Sequence, residues 1–190
     1  MMTQMVMKSM VSGKIGTFII GKMVLSNNKI IVIDNFFDDV KIIRDHALSL
    51  DYTPFRDGTC GYRSHRYSMD HDTERTIIEK ICDNKIYGKE VKECKLYSHI
   101  SPEHVMSIRK DFHTFKMHTD TKNKSQKAGV VYITPESPPN SGTCINGYGC
   151  IENKYNRYLS YPASFIHGPN MLFGQNKEDC RMTITFFLYF

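Results

Sequence analysis

Long apolar segments are missing from this chain. No stretch of its 190 residues approaches the ~18 consecutive apolar residues that a membrane-spanning helix requires. The methionine-rich start is interrupted by Lys8, Lys14 and Lys22 before a secretory apolar segment can form. These absences argue against a transmembrane helix and a secretory signal, and they predict a soluble, intracellular protein that has no membrane partner.

Cysteine pairs with metal-binding or redox spacing are also missing. The chain has six cysteines, none in a Cys-x-x-Cys motif: Cys60, Cys82, Cys94, Cys144, Cys150 and Cys180. They do not form the short, cysteine-dense frame of a small secreted domain. The sequence therefore predicts reduced thiols and a cytosol-like location.

Blocks of like charge, internal repeats and low-complexity linkers are absent too. The net charge is +5, but lysine and arginine are scattered from Lys8 to Arg181. This distribution favours an ordinary solvated surface, so we do not expect nucleic acid as a partner. The length fits a single domain over 1–190. We divide it into an extension or first strand (1–28), a helical support region (29–93) and a β core that carries the site (94–190).

Hydrophobic periodicity predicts helices in the first half of the chain. A β-branched run at 29–34 indicates a buried strand. A helix then begins at Asp38 or Asp39, either of which can cap it, and ends before Pro54. A second helix runs from about Asp72 and stops before Gly88.

Strands dominate the second half. A glycine-punctuated loop at 56–67 separates the two helices. From about Cys94 onward, short apolar runs alternate with glycine, proline, asparagine and serine, a pattern typical of an antiparallel β sandwich or barrel. The fold class predicted is α+β with a mainly β core, in which N-terminal helices buttress the sheets.

Three residues of the second half form a candidate metal-binding set. His118 and Asp120 are two positions apart, so on a strand their side chains project from the same face. His167 ends a later apolar run. Two imidazoles and one carboxylate can hold a divalent metal on one face and leave the opposite positions open, as in non-haem Fe(II) oxygenases. The His-x-Asp triplet alone is a weak signal, because such triplets often arise by chance.

The last strand supplies the observation that gives this set more weight. Arg181, Thr183 and Thr185 fall on one face of an otherwise apolar run, while the alternate residues fall on the other. A buried arginine must find an anionic partner, because an unpaired buried charge is costly. That partner is either a protein carboxylate or an anionic ligand. Beside a His/Asp/His set we favour the ligand, which a guanidinium can bind bidentately.

These landmarks resemble the Fe(II)- and 2-oxoglutarate-dependent dioxygenase superfamily, specifically its prolyl-hydroxylase-like branch. The resemblance covers roughly 107–190. It is carried by His118-Thr119-Asp120, the run 128–135 with Ser141-Gly142-Thr143 after it, His167, and Arg181. The opening 32–37 and the loop 61–64 match more loosely.

The resemblance implies a fold, a cofactor set and a reaction. The fold is a double-stranded β-helix, or jelly roll, with Fe(II) bound by His118, Asp120 and His167. The co-substrate 2-oxoglutarate would place its distal carboxylate on Arg181, with Thr183 and Tyr132 as further polar neighbours. Tyr132 is about equally well read as an aromatic core residue. The reaction consumes O2, releases succinate and CO2, and hydroxylates a C–H bond; ascorbate is the expected reductant in vitro.

Some branches of the superfamily fit less well. Related halogenases lack the metal carboxylate, whereas Asp120 is present. Nucleic-acid demethylases usually carry a second arginine six residues after the first, and that position here is Phe187. Hydroxylation of a protein side chain or a small molecule is therefore the expected activity. Arg63 and Arg66 are the better candidates for substrate contacts, with pairing to carboxylates of the fold as the competing explanation.

Two other classes stay open. One is a cupin-like jelly-roll metalloprotein that does not use 2-oxoglutarate. The other is a non-catalytic β-sandwich binding module in which the metal set is coincidental. The sequence gives no ligand-like pairing for the remaining histidines, and we assign none of them to a metal.

Overall fold

The computed structural model of this protein describes residues 22–25, 30–55, 61–107 and 117–190. Within these ranges the chain forms 11 strands and four helices. The strands are β1 Lys22–Leu25, β2 Ile30–Ile33, β3 Thr53–Pro54, β4 Tyr62–Arg63, β5 Glu93–Ser101, β6 Lys127–Tyr132, β7 Thr143–Ile145, β8 Gly149–Ile151, β9 Tyr158–Pro162, β10 His167–Pro169 and β11 Arg181–Tyr189. The helices are α1 Val40–Ser49, α2 Asp72–Ile81, α3 Asn84–Tyr87 and α4 His104–Ser107.

The strands form two antiparallel sheets. The larger has eight strands in the order β1-β2-β9-β6-β11-β5-β4-β3, and the smaller has three in the order β10-β7-β8. Some neighbours in the large sheet are far apart in sequence: β11, the last strand, pairs with both β5 and β6. The two antiparallel sheets confirm the prediction of a mainly β core that follows N-terminal helices.

The two faces of β11 serve different parts of the molecule. Met182, Ile184 and Phe186 are fully buried and belong to a core that includes residues of α1 and α2. Full burial of such a side chain contributes roughly 1.5–3 kcal/mol. Arg181 and Thr183, on the opposite face, are also buried, and Arg181 reaches β7 of the small sheet. The predicted alternation along this strand is confirmed.

Local capping explains where the helices begin and end. The Asp39 carboxylate accepts the backbone N–H groups of Lys41 and Ile42, so α1 begins where it was predicted. The second predicted helix is divided: α2 ends at Ile81, and Asp83 caps the separate α3 by accepting the N–H of Lys85. An acidic residue that competes for backbone donors can end one helix and begin another.

The loop predicted at 56–67 is only partly a loop. Tyr62 and Arg63 form β4, which pairs with β5, so this part of the prediction is wrong. Its cause is pairing with a distant strand, which local composition does not reveal. Residues 56–60 and the strand suggested at 15–20 lie outside the described residues.

One pair of cysteines departs from the expected reduced state. Cys144 and Cys150 face each other across β7 and β8 and are joined by a disulfide. Their spacing in sequence matches no familiar motif, but the hairpin brings them opposite each other. Cys82, Cys94 and Cys180 are free thiols.

In the part of the chain that the structure describes, no helix has both the length and the apolar character to cross a bilayer. The division of the chain into three regions stays a prediction. The structure adds that the 29–93 region, expected to be helical, also supplies β2, β3 and β4 to the large sheet.

Candidate metal centre

The candidate metal set assembles where the segment before β6 crosses β10. His118 and His167 exchange two backbone hydrogen bonds, of 2.9 and 2.8 Å, and so form an isolated bridge. The N–H of Asp120 then donates to the carbonyl of Ala163 at 3.0 Å. His118 and Asp120 therefore lie in a short extended segment and not in the regular strand predicted for them. The convergence predicted for their side chains is nevertheless found.

The three side chains face one another at distances that suit a common ion. The Asp120 carboxylate lies 3.6 Å from Nε2 of His118 and 3.4 Å from Nε2 of His167. All three potential ligand atoms lie within 4.8 Å of one another. Metal–ligand bonds of about 2.0–2.2 Å leave adjacent ligand atoms roughly 3–3.5 Å apart. The three side chains would therefore bind one divalent ion after moving slightly closer together.

Hydrogen bonding orients the buried histidine for this role. Nδ1 of His167 lies 2.9 Å from the carbonyl oxygen of Phe165, so Nδ1–H donates there and the lone pair on Nε2 faces Asp120. Burial lowers the pKa of His167, while the Asp120 carboxylate acts in the opposite direction. Burial therefore favours the neutral imidazole, which is the form that binds a metal. His118 is exposed on the open side of the set.

Arg181 lies at the start of β11 and is only 6% exposed. Its Nη2 donates to Oγ1 of Thr143 at 3.3 Å, and its guanidinium carbon is 5.6 Å from the centre of the Tyr132 ring. Its Nε is buried and has no hydrogen-bond partner among the described residues. None of these contacts is a carboxylate. Within the described part of the chain the guanidinium charge is therefore not balanced, which is what an anion-binding arginine requires.

Thr143 connects the predicted polar residues to the metal set. Its Oγ1 also accepts the Tyr132 hydroxyl hydrogen at 2.7 Å. Two residues further along β7, Ile145 pairs with His167. Because two strand residues span about 7 Å, Thr143 lies about 7 Å along β7 from the residue that is paired with His167. The sequence analysis assigned no role to Thr143. Its place in the run Ser141-Gly142-Thr143 was the only feature of the sequence that could have indicated one.

Tyr132 and Thr183 occupy opposite positions in the register of β6 and β11. Burial raises the pKa of Tyr132, and the neighbouring Arg181 acts in the opposite direction. The Tyr132 hydroxyl therefore stays protonated and can donate a hydrogen bond. The hydroxyl oxygen of Thr183 lies 3.2 Å from that of Thr185, so this hydrogen bond leads away from Arg181. The structure thus groups Tyr132 with Arg181 more closely than it groups Thr183.

The two candidate substrate residues lie in different surroundings. Arg63 is opposite His99, which is in turn opposite Thr183, so the three share one face of the large sheet. Its guanidinium lies 3.7 Å from the Phe55 ring centre. Arg66 instead donates to the carbonyl of Cys94 at 2.6 Å. The structure does not bring these two guanidinium groups to a common site.

A second group of histidines contradicts the expectation that the others lack ligand-like pairing. His46 and His71 lie with Glu74 so that one ligand atom from each falls within 4.8 Å of the others. The residues come from different segments, and no local motif could have indicated them.

Comparisons with known proteins agree with this architecture. No protein-family model and no curated protein matches the sequence. Among solved structures, a prolyl-4-hydroxylase from Pseudomonas putida superposes with a TM-score of 0.58 at 11% identity, covering 85% of this chain and 92% of that chain. A 2OG-Fe(II) oxygenase family protein from Burkholderia pseudomallei gives 0.53 at 13% identity, covering 86% and 85%.

A third structure was solved with ligands bound. HygX from Streptomyces hygroscopicus, solved with nickel, 2-oxoglutarate and hygromycin B, gives a TM-score of 0.55 at 10% identity, covering 85% of this chain and 83% of that chain. At such low identities the likeness speaks for the fold. This chain has the double-stranded β-helix fold of the 2OG-Fe(II) oxygenases.

Proposed function

We propose that this protein is an Fe(II)- and 2-oxoglutarate-dependent dioxygenase. In this proposal His118, Asp120 and His167 hold the iron, and Arg181 binds the distal carboxylate of 2-oxoglutarate. The observation that carries it is the buried Arg181 guanidinium, whose Nε has no partner among the described residues and which reaches β7 beside the metal set. An anionic co-substrate would balance this charge, because a guanidinium forms strong paired hydrogen bonds with a carboxylate.

Bound iron, 2-oxoglutarate and O2 would supply an oxidative decarboxylation that yields succinate and CO2 and hydroxylates a C–H bond. The chain's own residues position these groups. The Phe165 carbonyl fixes the His167 ring so that Nε2 faces the ion. Thr143 and Tyr132 form the polar surroundings of Arg181. The Tyr132 hydroxyl is within one hydrogen bond of Thr143 and is the additional donor that we assign to the carboxylate, with Thr183 as the next candidate.

We propose hydroxylation as the outcome and a protein side chain or a small molecule as the substrate. Asp120 would occupy the coordination position that a halide needs in a halogenase, which favours hydroxylation. Arg63 shares the sheet face of Thr183 and is the better of the two proposed substrate contacts. Arg66 is exposed and lies 3.6 Å from Glu93, so its contact with a substrate would require release from that edge.

Calorimetric titration of 2-oxoglutarate into Mn(II)-loaded protein tests the proposal directly. We expect binding to the unaltered protein and no metal-dependent binding to Asp120→Ala. Arg181→Ala should weaken binding by at least about 30-fold, since truncating one partner of a buried charge pair costs roughly 2–5 kcal/mol. Arg66→Ala is the matched control, because it removes an exposed guanidinium and should leave this affinity unchanged.

Two results would reject the proposal in favour of the alternatives, and a third would reject the role of Arg181. Binding of Mn(II) without any binding of 2-oxoglutarate would favour a cupin-like metalloprotein. Failure of both ligands to bind after clean reconstitution would favour a binding module without a metal. Equal 2-oxoglutarate affinity in the unaltered and Arg181→Ala proteins would remove Arg181 from the site.

A further inference from the structure

Glu74, on α2, is a buried carboxylate close to three imidazoles, one from α1 and two from the segment that connects β4 to α2. Its side chain is 2% exposed. Its Oε1 lies 3.1 Å from Nε2 of His46 on α1 and 2.8 Å from Nε2 of His65, in the segment before α2. Its Oε2 accepts the backbone N–H of Ser68 at 2.7 Å. His71, just before α2, packs against His46 with ring centres 4.6 Å apart and ring planes tilted by 39°.

Hydrogen bonding alone accounts for only part of this cluster. Neutral His46 and His65 can each donate one Nε2–H to the carboxylate. No lysine or arginine in the described ranges pairs with Glu74, so its charge is then balanced only by dipoles. Hydrogen bonding to Glu74 does not explain the position of His71. It precedes α2 as the capping residue but makes no side-chain capping bond.

The distances agree with the dimensions of a metal site. One ligand atom from each of His46, His71 and Glu74 lies within 4.8 Å of the others. In a tetrahedral zinc site with bonds of about 2.0–2.1 Å, ligand atoms are roughly 3.3 Å apart. The approaches of His46 and His65 to Glu74 are close to this value. Two imidazoles and one carboxylate supply three protein ligands, and a fourth position stays available to water or another small ligand.

We propose that His46, His71 and Glu74 bind a Zn²⁺ ion, and that His65 orients Glu74 through its 2.8 Å contact with Oε1. The ion joins α1, α2 and the segment that connects β4 to α2. These helices pack against the large sheet, and the zinc site shares no residue with the proposed iron site. The proposal does not depend on the dioxygenase activity.

The zinc content of a variant that lacks Asp120, and so has a disrupted candidate iron site, tests the proposed zinc site. Full-length Asp120→Ala protein, stripped with a chelator and dialysed against Zn²⁺, should retain one zinc per chain by elemental analysis. Asp120→Ala/His71→Ala should lose it, or bind it at least about tenfold more weakly in a chelator competition, because a ligand is missing. His71 is exposed and its side chain makes no capping hydrogen bond, while the hydrogen bond of its backbone carbonyl with Arg75 would be kept in the variant, so its removal should not impair folding.

The matched control is Asp120→Ala/His104→Ala, which removes an exposed histidine far along the chain and should still retain one zinc. Zinc should raise the melting temperature of Asp120→Ala and of this control, and should raise that of the His71→Ala combination less or not at all. Absence of bound zinc in Asp120→Ala would overturn the proposal. Equal zinc affinity with and without His71 would overturn it too, and would leave Glu74 with a purely hydrogen-bonded role.

Discussion

Tyr132 illustrates how one side chain can serve both a core and a site. It is fully buried and packs in the apolar cluster between the two sheets. Its hydroxyl nevertheless donates to Thr143, which also accepts a hydrogen bond from Arg181. A buried tyrosine hydroxyl usually has a partner, and here that partner belongs to the proposed co-substrate end of the site.

Replacing Tyr132 with phenylalanine separates these two roles. The ring and its packing remain, so the fold should be kept, while one hydrogen-bond donor is lost beside Arg181. We expect 2-oxoglutarate affinity to fall about three- to tenfold, equivalent to ~1 kcal/mol. Calorimetry on Mn(II)-loaded protein measures this, with Tyr158→Phe as the matched control, because Tyr158 is fully buried and its hydroxyl contacts Tyr87 in the other core cluster. Unchanged affinity in Tyr132→Phe would assign Tyr132 to the core alone.

The sequence was sufficient to select most of the candidate residues but not their supports. His118, Asp120 and Arg181 could be found because side chains alternate along extended chain, a rule that needs no tertiary information. Thr143 and the His46–Glu74 contact could not be found in this way. Both depend on chain segments that are distant in sequence, and a threonine or glutamate carries no local signal of such a neighbour.

Among the elements, the end of β2 is held by a charged cluster. The Asp34 carboxylate accepts hydrogen bonds from Nε of Arg157 at 2.6 Å and from Nζ of Lys154 at 2.8 Å. The hydrogen bond from Arg157 is the main reason why the pKa of Asp34 falls to about 2; Lys154 adds to it, and partial burial opposes it. This cluster joins β2 to the turn before β9.

The lowered pKa predicts how stability should change with pH. The folded-state pKa lies below the ordinary value of 3.8, so the stabilisation is present above about pH 4 and is lost as the pH falls towards 2. Asp34→Asn should lower the free energy of unfolding at pH 7 by on the order of 1 kcal/mol, less than the full shift implies because solvent screens the pair. The difference from the unaltered protein should shrink between pH 4 and pH 2.

Thermal unfolding of both proteins across this pH range measures the effect. Asp38→Asn is the control, because Asp38 is exposed and lies 3.5 Å from Lys80 in a surface pair of little energetic consequence. A gap between Asp34→Asn and the unaltered protein that stays constant down to pH 2.5 would show that lost packing, and not charge, is responsible.

Turns mark the limit of what could be predicted for the elements. Asn156 has a φ of 62°, in the left-handed region that asparagine tolerates better than most residues. Its side chain accepts the N–H of Phe37 and donates to the carbonyl of the same residue, each at 2.8 Å. A buried asparagine that pairs with chain far away in sequence looks in the sequence like any loop residue. The predictions that succeeded rest on strand and helix periodicity. The features that were missed depend on turn residues that contact distant parts of the chain.

In the whole molecule, the proposed site is divided between the two sheets. Arg181 belongs to the large sheet, whereas His167 belongs to the small one. The sequence could predict the fold class, because short apolar runs and turn residues alternate throughout its second half. It could not predict the strand order, in which β11 lies between β5 and β6, since many pairings satisfy the same periodicity.

This division predicts cooperative stabilisation by two ligands. A bound 2-oxoglutarate that contacts the metal and Arg181 would connect the sheets, so each ligand should raise the affinity for the other by the same factor. A ligand at 100 times its dissociation constant adds about 2.7 kcal/mol of stability. Mn(II) and 2-oxoglutarate together should therefore raise the melting temperature by more than the sum of their separate effects.

Thermal unfolding with each ligand alone and with both ligands measures this coupling. The excess should vanish in Asp120→Ala, which loses the metal, and in Arg181→Ala, which loses the second anchor. It should persist in His71→Ala, because that residue lies outside the proposed co-substrate site. Strictly additive shifts in the unaltered protein would mean that 2-oxoglutarate, if bound, does not touch the metal, and the two halves of the site would then be independent.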